Sequence, residues 1–273
     1  MSNWKLALNK RQWLVAILLI LLTATVLVWT GLSRASKNRL ITESKISINK
    51  EKQSYFLSVS SVGQLLTKEI GNPTGLNAAN VNTMALEAKL KQNPFIKKAE
   101  VFIGLDGILN VKIEEREPVI LIYNKYGESY FLDTQGIMIP NQHIKLPTVV
   151  IANGNIIERL RPGKPVQQFL SKEMVKLGGF IAADSLWSAQ FQQLYVDNYN
   201  EFLLIPRVGK HSIVVGDASE LAEKFANLRL FYDEGFKVAG WDKYEQIDIS
   251  IRNQVVGRTS VQQTEQSTEN GVH

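Results

Sequence analysis

The sequence predicts an α+β fold carried on one membrane helix, and three features predict it. The stretch from Trp13 to Leu32 holds no charge over 20 residues and reads as a single transmembrane helix. Residues 43–117 then follow a β-α-α-β-β order. Residues 118–258 are rich in short apolar runs broken by turn residues, the pattern of a second, strand-rich α+β domain. A chain of 273 residues has room for two domains of ordinary size.

The apolar stretch matches the hydrocarbon core in length, since about 20 residues at ~1.5 Å each span about 30 Å. Trp13 and Trp29 sit near its ends, where indole rings favour the interface, and are the expected membrane anchors. A cleaved signal peptide is the alternative, with Ser33 and Ala35 as a small-residue cleavage site, but its apolar region is usually shorter, about 7–15 residues. Residues 1–12 form a short tail expected in the cytoplasm, and 33–42 a basic juxtamembrane segment. Lys5, Lys10 and Arg11 precede the span, whereas Arg34, Lys37, Arg39, Lys45, Lys50 and Lys52 follow it. Counting positive charge alone puts the C-terminal part inside. Long domains cross largely regardless of that bias, so the outward orientation is favoured.

In the first domain, "ESKISIN" (43–49) reads as a strand. Ser61 and Gln64 have capping-box spacing, and Val62, Leu65, Leu66 and Ile70 make one helical stripe. "GNPTG" ends that helix, and a second begins near Asn82 and stops before Pro94. "IKKAEVFI" and "ILNVKIEE" flank Asp106-Gly107, a strong hairpin signal. Pro118 keeps Glu117 extended, so the chain passes directly into "VILIY".

The second domain continues with "SYFLD", the turn "DTQG", "IMIP" and "IKLPTVVIANG". Residues 166–187 read as a helix that Gly178-Gly179 weakens. "FQQLYVDN", "EFLLIPRV" and "HSIVVGD" read as strands, and 219–233 as a helix buried through Leu221, Phe225, Leu228 and Tyr232. "IDISIRNQVV" (247–256) alternates, with Ile247, Ile249, Ile251 and Val255 on one parity, and reads as one half-buried closing strand. No later segment is expected to pair with its second edge. From Thr259 to His273 the chain is polar and without period, and is expected to be disordered.

Composition excludes several functions. With no cysteine, disulfides and thiolate metal sites are ruled out. His143, His211 and His273 are scattered, so a three-histidine metal centre is not expected. The net charge of +5 invites a nucleic-acid reading, yet residues 33–273 hold 28 basic against 26 acidic side chains. A net of +2 gives little attraction to phosphate. There is no Gly-x-Ser-x-Gly elbow and no P-loop. "GLDG" (104–107) is a turn before it is a phosphate cradle. Glu114, Glu115 and Glu117 read as a solvated strand end, with Glu115 and Glu117 on one face. Asp133 in "DTQG" is turn chemistry first and a general base second. Tyr123, Lys125 and Tyr126 read as a hairpin rim rather than a base-stacking platform. No nucleophile–base pair survives, so no enzyme activity, no cofactor and no metal is expected.

The ordered set "EEREPV", "FLDTQGIMIP", "LPTVVIANG", "IVVGDASELAEKFANL" and "YEQIDISIRNQVV", after one span and a β-α-α-β-β unit, resembles the FtsQ/DivIB family of bacterial cell-division proteins over residues 13 to about 258. The resemblance implies that residues 43–117 are a POTRA-like domain and 118–258 the β domain. It implies a non-enzymatic scaffold of the divisome, held in the cytoplasmic (inner) membrane at the septum with its domains outside. The implied partners are FtsB-like and FtsL-like small bitopic proteins, one of which adds a strand at the C-terminal edge. Ile251, Arg252, Asn253, Gln254, Val255 and Val256 are the expected partner-binding residues. Where the family often has Asp-Leu-Arg-Tyr, this chain has Asp248-Ile249-Ser250-Ile251, so the aromatic and the arginine are not carried over. The competing readings are a POTRA-based chaperone or export component of the envelope and a membrane-tethered wall enzyme.

Overall fold

A computed structural model describes residues 13, 15, 17–27, 39–48, 54–235, 237, 240 and 243–259. Trp13, Val15 and 17–27 are helical, and Thr23 and Thr25 turn their hydroxyls back onto the carbonyls of Ile20 and Leu22 at 2.9 and 2.8 Å. No helix among the described residues is long and apolar enough to cross a membrane. The expected span also includes residues 14, 16 and 28–32, Trp29 among them, which lie outside the described residues. So do the expected cytoplasmic tail at 1–12, most of the juxtamembrane segment and 260–273.

The described chain divides into two compact units. The first holds Ser58–Leu90 and Ala99–Ile113 together with the preceding strand; the second holds 54–57, Lys91–Lys98 and everything from Glu114 onward.

In the first unit, β1 (Glu43–Ile48) is followed by α1 (Val59–Ile70), a 3-10 turn at Ala78–Asn80 and α2 (Thr83–Leu90). The hairpin β2 (Ile96–Ile103) and β3 (Ile108–Glu115), of which Ala99–Ile113 belongs to this unit, completes a sheet of order β1-β3-β2. β1 runs parallel to β3, as the crossover through two helices requires. α1 starts three residues earlier than its sequence suggests. Ser58 is the N-cap, and Ser61 is its partner in the capping box rather than the cap. Gly71 at φ 72° ends the helix. Val62 and Leu66 of α1 and Leu86 and Leu90 of α2 are buried, as are Val101, Leu109 and Val111 of the sheet. At the hairpin, Gly107 takes φ +82° and the Asp106 carboxylate accepts the Ile108 N–H at 3.0 Å.

The second unit is built on a nine-stranded sheet of order β12-β11-β10-β9-β8-β7-β4-β5-β6. Its strands are β4 (Pro118–Tyr123), β5 (Ser129–Asp133), β6 (Met138–Pro140), β7 (Val150–Gly154), β8 (Phe191–Val196), β9 (Phe202–Pro206), β10 (Ser212–Gly216), β11 (Gln246–Asp248) and β12 (Val256–Arg258). Helices α3 (Phe169–Ala183), α4 (Ser185–Gln190) and α5 (Leu221–Leu230) lie between them, the last continued by a π turn at Phe231–Gly235. Alternate strand residues such as Ile120, Ala152, Leu194, Leu204, Ile213 and Ile247 share one core with Met174, Leu177, Trp187, Phe225 and Leu228 of the helices. Trp187 stacks on Phe191 with centroids 5.6 Å apart and meets Phe225 edge-on at 5.2 Å.

Glu115 corrects its sequence reading. It is 1 % exposed, and its carboxylate accepts the backbone N–H groups of Tyr55, Phe56 and Leu57. Burial nonetheless pushes its pKa up, against those three donors. The surface carboxylate is Glu114, held between Lys97 and Lys98 and lowered in pKa first by Lys97.

Candidate protein-interaction edge

A sheet of nine strands has two edges, and each exposes backbone N–H and C=O groups unless something covers them. At β6 the chain covers its own edge. The Met138 N–H donates to the Lys164 carbonyl and the Met138 carbonyl accepts the Gly163 N–H, both at 2.9 Å. Pro140, the last residue of β6, has no N–H to offer. The other edge is β12. Among the described residues no strand pairs with its outer side.

The closing segment corrects the expectation of one strand over 247–256. β11 is only three residues long, with β10 parallel on one side and β12 antiparallel on the other. The chain itself therefore occupies the second edge of β11, and the open rim lies one strand further out. The physical cause is local. The Asp248 carboxylate accepts the Ser250 N–H at 2.9 Å and its hydroxyl at 2.6 Å, closing a turn after β11. Gly216, at φ +72°, lets Ser250 approach, since a Cβ there would lie 2.9 Å from the Ser250 Cβ. Asn253 takes φ +55° and the Gln254 N–H returns to the Ile251 carbonyl, so the chain reverses.

β12 is then fastened to β11 and to the residues just before it. The Glu245 N–H donates to the Arg258 carbonyl at 3.0 Å, and Arg258 lies 3.6 Å from the second oxygen of Asp248. Gly257 makes room for the Tyr244 ring, whose nearest carbon would be 2.5 Å from an added Cβ. Tyr244 in turn packs on Phe231 of the π turn at 5.4 Å.

The expected partner-binding residues fall into three groups. Ile251, Arg252, Asn253 and Gln254 form the exposed reversal. Arg252 lies 3.8 Å from Glu220 and 3.9 Å from Glu223 at the start of α5. Val255 packs against the core, and Val256 alone lies in a strand, opposite Asp248. Ile247 and Ile249 are core residues. Gly257 and Arg258, which complete β12, were not singled out from sequence; the available signals were Asp-x-Ser and Arg-Asn, both turn formers inside the alternating run. Asp133, read as a turn residue, accepts the N–H groups of Gln135 and Ile137 and also pairs with Arg116 at 2.7 Å. Among the described residues no three His, Asp or Glu side chains gather where a metal could bind.

The family model described as FtsQ/DivIB, C-terminal related, matches residues 117–258, just over half of the chain. The chain belongs to the FtsQ/DivIB family. A POTRA-like domain model matches residues 40–114. The chain is thus a cell-division protein by family. A search among curated proteins finds no match. The family match runs from Glu117 through Arg258 and so takes in the whole nine-stranded sheet, β12 included.

Proposed function

We propose that this protein is a non-enzymatic, membrane-anchored scaffold of the divisome that recruits small bitopic division proteins, FtsB-like and FtsL-like, by strand addition at β12. Its POTRA-like domain (43–117) and β domain (118–258) stand outside the cytoplasmic membrane at the septum, with Trp13 and Trp29 at the ends of the anchor. The observation that carries this reading is the outer side of β12, the sheet edge that no described strand pairs and that the family match includes. An added strand would take its affinity from backbone hydrogen bonds and its specificity from alternate side chains. The exposed reversal at 251–254 would flank it.

The test is binding of the full-length protein to a purified FtsB-like and FtsL-like pair. Val256→Pro removes a strand N–H, and Gly257→Val drives a side chain into the Tyr244 ring. Each is expected to weaken binding about tenfold or more, roughly 1.4 kcal/mol. Deleting residues 261–273 is expected to leave it unchanged. Wild-type affinity in a folded Val256→Pro or Gly257→Val protein rules out the edge. Depletion of the protein is expected to give filaments without septa; envelope defects with normal septa point instead to an export role.

A further inference from the structure

The first unit has an entry end. β1 runs parallel to β3, with Glu43 opposite Ile108 and Ile48 opposite Ile113. The chain therefore comes in beside the tip of the β2–β3 hairpin and leaves along β3, away from that tip. α1 follows β1 and returns, which brings the loop after Gly71 back to the tip and leaves Val59 at the opposite end. α2 connects to β2 through residues 91–95 alone, and its Glu87 carboxylate accepts the Val101 N–H. Met84, one turn before Glu87, thus lies toward the tip.

These pieces are tied together. The Ile41 N–H donates to the Leu76 carbonyl, the Gly75 N–H to the Ile41 carbonyl and the Ala78 N–H to the Arg39 carbonyl, each at 2.8 Å. The Thr42 N–H donates to the Gly107 carbonyl at 3.1 Å, and the Arg39 guanidinium donates to the carbonyls of Gly104 and Leu105. On this fixed tip Leu105 is 91 % exposed; Leu40 and Met84 are exposed at 55 % and 79 %. Scattered apolar side chains on a surface are ordinary, whereas three at one end make a patch. Around them, residues 71–85 carry no charged side chain, in a chain of which 21 % is charged. A surface without charge is cheap to take out of water.

Six residues, 33–38, separate Arg39 from Leu32, the expected end of the membrane span. Fully extended they would set Arg39 about 25 Å from that point, and any other path sets it closer. Arg34, Lys37 and Arg39 put positive charge on this stretch, which anionic headgroups attract. We infer that the hairpin tip rests on the bilayer in which the chain is anchored, with Leu105 entering the boundary between headgroups and acyl chains. This rests on the membrane anchoring proposed above. A helix of another protein fits less well, because such a helix lies in a groove and Leu105 stands out from the surface. Tip contact would hold the first unit at the membrane instead of leaving it on a free tether.

The test uses the full-length protein alone in vesicles of phosphatidylethanolamine and phosphatidylglycerol. The chain has no cysteine, so single nitroxide labels can be placed through Leu18→Cys, Val59→Cys and Leu105→Cys. Collisions with oxygen, which concentrates in lipid, are compared with collisions with a water-soluble nickel chelate. The label at 105 is expected to give an oxygen-to-nickel ratio severalfold above that at 59, an exposed apolar position at the far end. The label is itself apolar, so a second measurement keeps Leu105 in place and reads Leu40→Cys; adding Leu105→Asp is expected to drop that ratio to the level at 59. Equal ratios at 105 and 59, with the label at 18 in lipid, overturn the tip contact and leave the anchor standing. Water around the label at 18 overturns both. A ratio at 40 that Leu105→Asp does not move also overturns the contact.

Discussion

Asp248 ends one strand and fastens the next, one oxygen closing the Ser250 turn and the other facing Arg258. The first half of that role is written locally, because an aspartate two residues before a serine is turn chemistry anywhere. The second half depends on where β12 returns, which no local pattern states. Asp133 divides the same way: its turn was legible, its ion pair with Arg116 was not. Glu115 is the extreme case. Alternation placed it on a strand end, but its partners are the backbone of residues 55–57, some 60 positions away. His211 leads to a prediction at this scale. Its ring is buried, its Nε2 lies 3.1 Å from the Tyr232 hydroxyl, and burial lowers its pKa below the ordinary value. The unfolded chain therefore binds the proton more readily than the native state does. The stability from a neutral His211 is fully present above about pH 6.5 and is lost as pH falls toward the depressed native pKa. Glu115, raised in pKa, contributes the opposite slope from about pH 4.5 upward. Urea unfolding of wild type and His211→Gln between pH 7.5 and 5 separates the two: the variant is expected to lose less stability on acidification. Parallel loss in both would mean that His211 does not titrate against folding.

Neighbouring glycines in α3 show how far an element's behaviour depends on what lies across from it. In sequence, Gly178 and Gly179 look alike and weaken a helix equally. In the fold they differ. A Cβ on Gly178 would sit 3.0 Å from the Ile120 Cβ and 3.2 Å from the Val119 carbonyl, so its bare backbone is what lets α3 lie close on β4. A Cβ on Gly179 would meet nothing within 4 Å. The two alanine substitutions are therefore expected to act with opposite sign. Gly179→Ala should stabilise by up to about 1 kcal/mol, the ordinary helix-propensity difference. Gly178→Ala should destabilise by about 1–3 kcal/mol, the range for overpacking. Denaturant midpoints of both variants check this, and stabilisation by Gly178→Ala would show that the contact can relax freely. The start of α1 is a related case. The spacing of Ser61 and Gln64 predicts a capping box there, whereas the structure caps the helix at Ser58, with Ser61 completing the box. The helix so begun buries Val62 and Leu66.

At the scale of the whole molecule the recurring problem is what becomes of sheet edges. In the first unit the outer side of β2 is partly closed by Glu87 of α2, whose carboxylate accepts the Val101 N–H at 2.8 Å. In the second, residues 161–166 close β6. β12 differs from both, and its shortness raises a mechanical question. A three-residue strand with glycine at its centre could be pushed aside by an incoming strand that then pairs with β11, or could stay and present its own outer side. The fastening favours the second course. Tyr244 lies over Gly257, Arg258 is tied at both its carbonyl and its guanidinium, and Val255 joins the core just before the strand begins. Displacement would undo all of these before any new hydrogen bond formed. A cysteine pair at Gln246 and Arg258, which face each other across β11 and β12, tests the point in a chain with no other cysteine. Cross-strand neighbours lie about 4.5–5.5 Å apart at Cβ, near the reach of a disulfide. With the bridge oxidised, β12 cannot leave β11. Binding of the FtsB-like and FtsL-like pair is expected to stay within about twofold of the reduced protein, because the partner strand adds outside β12. Loss of binding on oxidation, restored by reductant, would show instead that β12 is a cover which the partner must remove.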